Sequence, residues 1–277
     1  MKTRCDVENI DWNQIWSESP ARHYSAEDWD ERAERFSKGA IDSRYAANFV
    51  NFLQPQPQWT VFDMGCGSGT IALPLAKQVQ SVTAADFSPK MLAALDQYAK
   101  ERKLDNITTL KLSWTDNWDT VPSESHDIAI ASRSMHDIKD FRGAVEKLIN
   151  VAKQRVYLAL FVEMAPEHDF VYQALGRKKP KTPDYLYGYN IIYQMGIRAN
   201  INILTDYTTR IYESEEEAIS HLAGNYTRDL KIDDIEILKK YVCGQLARDN
   251  NGWHLKTPRP YRCAVIWWDN SLYRAPD

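Results

Sequence analysis

The chain has 277 residues, a formal net charge of −4, 44% hydrophobic residues and 12% aromatic residues. This composition excludes a disordered chain, and the mild acidity argues against a dedicated duplex-nucleic-acid binder, which carries a basic excess. The longest apolar run, Val156 to Val162, has the length of a strand and falls far short of the roughly 20 residues of a membrane helix.

In chain order, Met1 to Asp11 is polar and charged and lacks the apolar stretch of a signal peptide. Asp28–Lys38 reads as an amphipathic helix, with Trp29, Ala33 and Phe36 at helical spacing. Ile41–Leu53 reads as a second helix, ended by Gln54-Pro55-Gln56-Pro57. Strands and helices then alternate. Strands are expected at Trp59–Met64, Ser81–Phe87, Ile107–Trp114, Asp127–Ser132 and Arg155–Val162. Helices are expected at Thr70–Val79, Pro89–Lys103 and Phe141–Ala152. Such alternation implies right-handed βαβ units and a parallel sheet covered on both faces.

The rhythm stops after Val162. Residues 163–200 hold three prolines, the basic run Arg177–Lys181 and the cluster Tyr185, Tyr187, Tyr189 and Tyr193. They read as a Tyr-rich insertion between strands five and six, not as a separate domain. A strand at Ile201–Tyr212, helices at Glu213–Leu222 and Ile232–Leu246, and a last strand at Cys263–Trp268 complete the pattern. The expected organisation is a helical cap over 1–54, a core over 55–162 and 201–277, and a lid over 163–200. Cys5, Cys66, Cys243 and Cys263 show no metal-ligand spacing, so no metal is expected, and reduced thiols fit a cytoplasmic protein.

The chemistry concentrates at Asp63-Met64-Gly65-Cys66-Gly67-Ser68-Gly69, between a predicted strand and a predicted helix. Glycines let the backbone turn sharply and approach a ligand closely. The turn lies at the carboxyl end of the first strand, where open α/β sheets bind ligands. Asp86 follows 21 residues after Gly65, at the end of the second strand, where a carboxylate can accept from ribose hydroxyls. The spacing is G-x-G-x-G, whereas the dinucleotide fingerprint is G-x-G-x-x-G/A and would place its last glycine at Thr70. Asp63, inside the strand, also lies outside that fingerprint, and a buried acid there needs a hydrogen-bonding reason.

The run D-x-G-C-G-x-G, followed by an acid that ends strand two, resembles the class I S-adenosylmethionine-dependent methyltransferases over roughly 55–162. The resemblance implies a Rossmann-like, doubly wound, mostly parallel sheet of seven strands with an antiparallel last strand. It implies S-adenosyl-L-methionine as cofactor, S-adenosyl-L-homocysteine as product, and methyl transfer by in-line displacement. Asp63 would support the loop and the amino end of the cofactor. Gly65, Cys66, Gly67 and Gly69 would run beside it, Asp86 would bind the ribose, and Phe87 and Met91 would flank the adenine. Trp114 stands where many members carry an adenine-binding acid, so recognition falls to stacking on Trp114 or to Asp116. Ser132 and Arg133, after strand four, would face the methionine end. His136 would be the base, if the acceptor needs one.

The aromatic residues, 9 Trp, 15 Tyr and 8 Phe, crowd outside the βαβ repeats, in the N-terminal segment and the insertion. Tyr24, Trp29, Arg32, Tyr187 and Tyr189 are therefore candidate acceptor contacts, in an aromatic-walled site for a small molecule. The plain alternative is packing bulk. No [DNS]-P-P-[YF] stretch follows strand four, so no nucleic-acid partner is expected, and no membrane partner either. A homo-oligomer is compatible with the sequence. Two other readings remain: a nicotinamide-dependent oxidoreductase on a related fold, and a non-catalytic module that binds S-adenosylmethionine.

Overall fold

The computed structural model describes residues 9–19, 25–40, 43–163, 167–179, 184–207, 210–224, 230–258 and 260–273. The N-terminal part holds α1 (Trp12–Ser17), α2 (Ala26–Ala40) and α3 (Arg44–Leu53). Next come β1 (Thr60–Met64), α4 (Ala72–Ala76), β2 (Ser81–Asp86), α5 (Pro89–Glu101), β3 (Ile107–Lys111), β4 (His126–Ser132), α6 (Phe141–Val151) and β5 (Ala152–Glu163). Two helices, α7 (Glu167–Ala174) and α8 (Tyr185–Gln194), separate β5 from β6 (Asn200–Tyr207). The chain continues through α9 (Glu215–Gly224), α10 (Ile232–Gly244), β7 (Leu246–Asp249), β8 (Gly252–Leu255) and β9 (Pro260–Asp269).

Seven strands form one sheet in the order β3-β2-β1-β4-β5-β9-β6, mostly parallel, with one antiparallel strand. The fold class expected from the sequence is therefore observed. β1 pairs in parallel with both β2 and β4, so the strand order reverses there, which is where doubly wound sheets bind ligands.

Strand periodicity divides the interior into two layers. Val61, Val82, Ala84, Ile128, Ile130, Tyr157 and Val265 join a cluster with Tyr45, Phe49, Leu73 and Leu95. Phe62, Met64, Ala85, Ala129, Leu158 and Ile266 join the other, with Trp16, Phe141, Leu148, Ile191 and Ile192. Helices α3, α4 and α5 thus cover one face, and α1, α6 and α8 cover the other. Asn270, fully buried, donates to the carbonyls of Ile149 (2.8 Å) and Ala152 (2.7 Å). Asn270→Ala removes both bonds, and its urea midpoint should report a loss of about 2–3 kcal/mol. An unchanged midpoint would contradict this role.

The chain divides into two compact units, one of Met1–Phe161, Thr182–Leu204 and Cys263–Asp277, the other of Val162–Lys181 and Thr205–Arg262. The second unit has its own apolar cluster, including Phe170, Tyr212, Ala218, Leu222, Leu238, Val242 and Leu255. Of the basic run in 177–181, Arg177 pairs with Asp234 and Lys179 with Asp169, each at 2.6 Å within this unit.

Some elements differ from the sequence expectation. Helix α1 was not anticipated; Asp11 caps it by accepting from Gln14 N at 2.9 Å. The antiparallel pair β7–β8, joined by the two-residue turn Asn250-Asn251, was also unforeseen. Helix α4 is shorter than Thr70–Val79: the loop runs on through Thr70, and Gln78 N bonds back to Leu75 O at 2.8 Å in a tight closing turn. β3 ends at Lys111, so Trp114 lies in a turn rather than a strand. Among the described residues, no helix is long and apolar enough to cross a membrane.

Candidate active site

The glycine loop leaves β1 with its backbone in the left-handed region, at φ values of 72° for Gly65, 53° for Gly67 and 93° for Gly69. Glycine alone enters that region without a Cβ penalty. A Cβ on Gly65 would lie 2.3 Å from the Cβ of Ser134, and one on Gly69 would lie 2.4 Å from Leu95 Cδ1. Gly65 N and Cys66 N both donate to the Ala85 carbonyl, at 2.7 and 3.0 Å, which ties the loop to the end of β2.

Asp86 completes that tie. One carboxylate oxygen accepts from Gly67 N and the other from Ser88 N, each at 2.9 Å. The residue is buried, and burial pushes its pKa up. A carboxylate has about four acceptor sites, so capacity for a ligand hydroxyl remains after the loop is held. Asp86 therefore shapes the loop and keeps acceptor capacity beside it.

Asp63 is buried within β1. Its carboxyl accepts from the Ala72 amide, and Oδ2 has no hydrogen-bond partner. Burial, and then the neighbouring Asp86, push its pKa up from 3.8 to about 7. Ser68 Oγ is a second buried polar atom without a partner beside the loop. Such atoms are costly unless a ligand or water meets them. Cys66 is buried and its thiol pKa is raised, chiefly by burial, so it is no nucleophile.

The segment after β4 approaches from the other side. Ser134 Oγ donates to the Met64 carbonyl at 2.8 Å. Arg133 sits at φ 57°, a conformation a non-glycine residue holds only under tertiary constraint. Its amide donates to the Ala159 carbonyl at 2.9 Å, and its guanidinium carbon lies 3.8 Å from the Tyr45 ring centre. The Tyr45 hydroxyl and Ser132 Oγ share a hydrogen bond of 2.8 Å. His136 stacks on Phe161, with centroids 4.6 Å apart at 23°, and its Nε2 is shut from solvent without a partner. Burial, and then the Arg133 charge, push its pKa down to about 4, so the ring is neutral at pH 7.

The remaining candidates fall in two groups. Met91 is buried and Phe87 is half-buried, next to the end of β2. The Trp114 ring lies 5.6 Å from that of Trp118 at a tilt of 32°, and its carbonyl accepts from Lys147 Nζ at 2.7 Å. The Asp116 carboxylate accepts from Ser113 N at 2.7 Å and closes its own turn. On α2, the Arg32 guanidinium lies 5.8 Å from the Trp29 ring centre. Tyr24 lies outside the described residues. Tyr187 meets Trp12 edge-on at 5.5 Å, and the Tyr189 hydroxyl donates to the Ala199 carbonyl at 3.5 Å. These contacts pack α8 onto its sheet face, and none of them reaches the glycine loop.

Sequence reasoning missed Asp30, whose carboxylate accepts from Ser88 Oγ at 2.6 Å and Lys90 N at 3.1 Å. It also missed Tyr45, Ser134 and Phe161. No local pattern marks them, because each is brought to the site by long-range packing. Asp30 docks α2 on the start of α5, beside the end of β2.

The loop, the two buried acids and the sheet order together define a protein class. The chain belongs to the class I S-adenosylmethionine-dependent methyltransferase superfamily. A family model for a methyltransferase domain matches residues 61–155. Over 244 residues the chain is 37% identical to an uncharacterized protein of Haemophilus influenzae, covering 87% of this chain and 88% of that one. A shorter match, 34% over 84 residues, is to the ubiquinone/menaquinone biosynthesis C-methyltransferase UbiE of Zymomonas mobilis; it covers 28% of this chain and 35% of that one. Another, 34% over 68 residues, is to the 23S rRNA (uracil(1939)-C(5))-methyltransferase RlmD of Vibrio cholerae, covering 24% and 16%. A crystal structure of a putative methyltransferase from Bacillus halodurans shares the fold, with TM-score 0.55 and 11% identity over 81% of this chain and 98% of that one.

Proposed function

We propose that this chain transfers a methyl group from S-adenosyl-L-methionine to a small-molecule acceptor. The observation that carries the cofactor is the partnerless, buried Asp63 Oδ2 at the root of the glycine loop. It fits a cationic amino group. Asp86 suits a ribose of either cofactor, but the G-x-G-x-G spacing and the buried Asp63 lie outside the dinucleotide fingerprint and disfavour the nicotinamide reading.

In this reading Asp63 holds the amino end, the Gly65–Gly69 loop passes alongside, and Asp86 accepts from the ribose. The bound sulfonium supplies a methyl group already activated for in-line displacement. What the chain must add is alignment of the acceptor and exclusion of water, worth up to about 7–11 kcal/mol in favourable cases. Arg133, Ser132 and His136 stand at the same end of the sheet; in this reading Ser132 and Arg133 face the methionine end of the cofactor and His136 faces the acceptor. With its pKa held near 4, His136 is a weak base and offers a neutral Nε2 instead. This favours an acceptor that is a nucleophile without losing a proton first.

The acceptor reading rests on the acidity of the chain and on the aromatic residues of the N-terminal segment; Tyr187 and Tyr189, engaged in packing α8, lend it no support. The short matches to a quinone and an rRNA methyltransferase cover a quarter of the chain or little more, so they bear on the cofactor half only.

Calorimetry should show binding of S-adenosylmethionine and S-adenosylhomocysteine below millimolar concentration, and none of NADH. The reverse would sink the cofactor assignment. Asp86→Ala should weaken binding by about 1–3 kcal/mol, the range for charged hydrogen bonds; unchanged affinity would remove Asp86 from the site. With methyl-labelled cofactor and a cell extract, label should enter the low-molecular-weight fraction. Label confined to RNA or protein would overturn the small-molecule reading.

A further inference from the structure

A cavity of about 340 Å³ lies at the opposite end of the sheet from the glycine loop. Trp59 immediately precedes β1, Arg155 pairs with Ile128 near the start of β4, and Trp267 is near the end of the last strand. These three, with Phe52, Gln56 and Tyr157, line the cavity. Its volume falls in the range of small-ligand pockets, roughly 300–1,000 Å³. The methyl-transfer chemistry proposed above uses none of it.

The walls have a definite chemistry. Tyr157 and Trp267 stack with centroids 6.0 Å apart at 19°, which presents aromatic surface to the space beside them. The Arg155 guanidinium carbon lies 5.6 Å from the Trp267 ring centre. Arg155 Nη1 donates to the Tyr157 hydroxyl at 3.4 Å. That phenol oxygen accepts from the arginine, so its own proton stays free to donate. Arg155 forms no ion pair among the described residues. A guanidinium with five donors and no carboxylate is an incomplete arrangement in a half-buried site. The nearby acid, Asp127, is already engaged by Thr60 and Gln154.

We propose that this cavity is a second binding site, for a planar aromatic carboxylate, with Arg155 and the Tyr157 hydroxyl on the carboxylate and Trp59 and Trp267 against the ring. The two donors select an acceptor-only anion. The indole and phenol walls select a flat, apolar body.

The test is calorimetry on the full chain with 2-naphthoate, with and without saturating S-adenosylhomocysteine. Naphthalene-2-methanol and cyclohexanecarboxylate serve as the matched probes lacking the charge or the aromatic ring. Naphthoate should bind at least tenfold more tightly than either, equally well with the homocysteine product present, and equally well to Asp86→Ala. Arg155→Gln should lose at least tenfold in naphthoate affinity while keeping its affinity for S-adenosylhomocysteine. No binding of naphthoate at millimolar concentration would overturn the proposal. So would competition by S-adenosylhomocysteine, or equal affinity of Arg155→Gln. Should that variant fail to fold, the three-probe series on the unmodified chain decides. Its failure would leave the cofactor site untouched, because that site is read out separately by S-adenosylhomocysteine binding.

Discussion

Asp63→Asn should make the ligand-free protein more stable at neutral and alkaline pH, and at the same time bind cofactor far more weakly. The sign follows from linkage. A carboxyl whose folded pKa is raised keeps a proton that the unfolded chain has lost, so stability falls as pH rises between the two values. For Asp63 that window runs from 3.8 to about 7. Above it, the charged and partly unpartnered group costs at most roughly 4 kcal/mol. Asparagine removes the charge and keeps the shape, so the urea midpoint should rise most above pH 7 and least near pH 4.

Binding should move the opposite way. A cation meeting Asp63 favours the ionised carboxyl and lowers its pKa in the complex. Affinity for S-adenosylhomocysteine should then be constant above about pH 7 and fall as pH drops below it, by up to tenfold per pH unit. In Asp63→Asn the affinity should be low and the pH slope flat. Calorimetry between pH 5.5 and 8.5 checks both. A wild-type affinity independent of pH, or the same slope in the variant, would separate Asp63 from the ligand's charge.

The second large effect belongs to Gly65. Gly65→Val places a β-branched residue at φ 72° with its Cβ 2.3 Å from that of Ser134. The backbone strain costs about 1–3 kcal/mol, and the overlap about 1–3 kcal/mol more. Relief requires the loop or the post-β4 segment to shift, and both belong to the proposed cofactor site. Stability should fall by the summed amount, and S-adenosylhomocysteine binding should be lost at any accessible concentration. Gly65→Ala meets the same conformational barrier with less bulk and should fall between. A valine variant that unfolds at the wild-type urea midpoint and binds normally would show that the loop adopts another conformation.

Much of the first unit was legible in the sequence because its signals are local. Near-continuous apolar runs mark β1, β2, β4 and β5, since parallel strands are buried on both faces. Pro89 after Ser88 marks the start of α5, and Ser88 Oγ does accept from Met91 N, at 3.2 Å. The glycine spacing and the acids at 63 and 86 are likewise short-range patterns. Helix α1 escaped because it spans only Trp12–Ser17, too short for a helical period to show. The β7–β8 hairpin escaped because its strands are only four residues each.

What the sequence determined by itself is therefore the class of sheet, the glycine turn at the end of its first strand and the two carboxylates that flank it. These depend on residue type at fixed spacing along one stretch of chain. The tertiary structure decided what those groups experience. The burial that holds Asp63 near 7, the positive φ of Arg133 over the Tyr45 ring and the stacking of His136 on Phe161 all arise from residues far apart in the chain. So does the meeting of Trp59, Arg155 and Trp267 at the far end of the sheet. Desolvation and contact depend on which segments pack together, and a linear pattern carries no record of that.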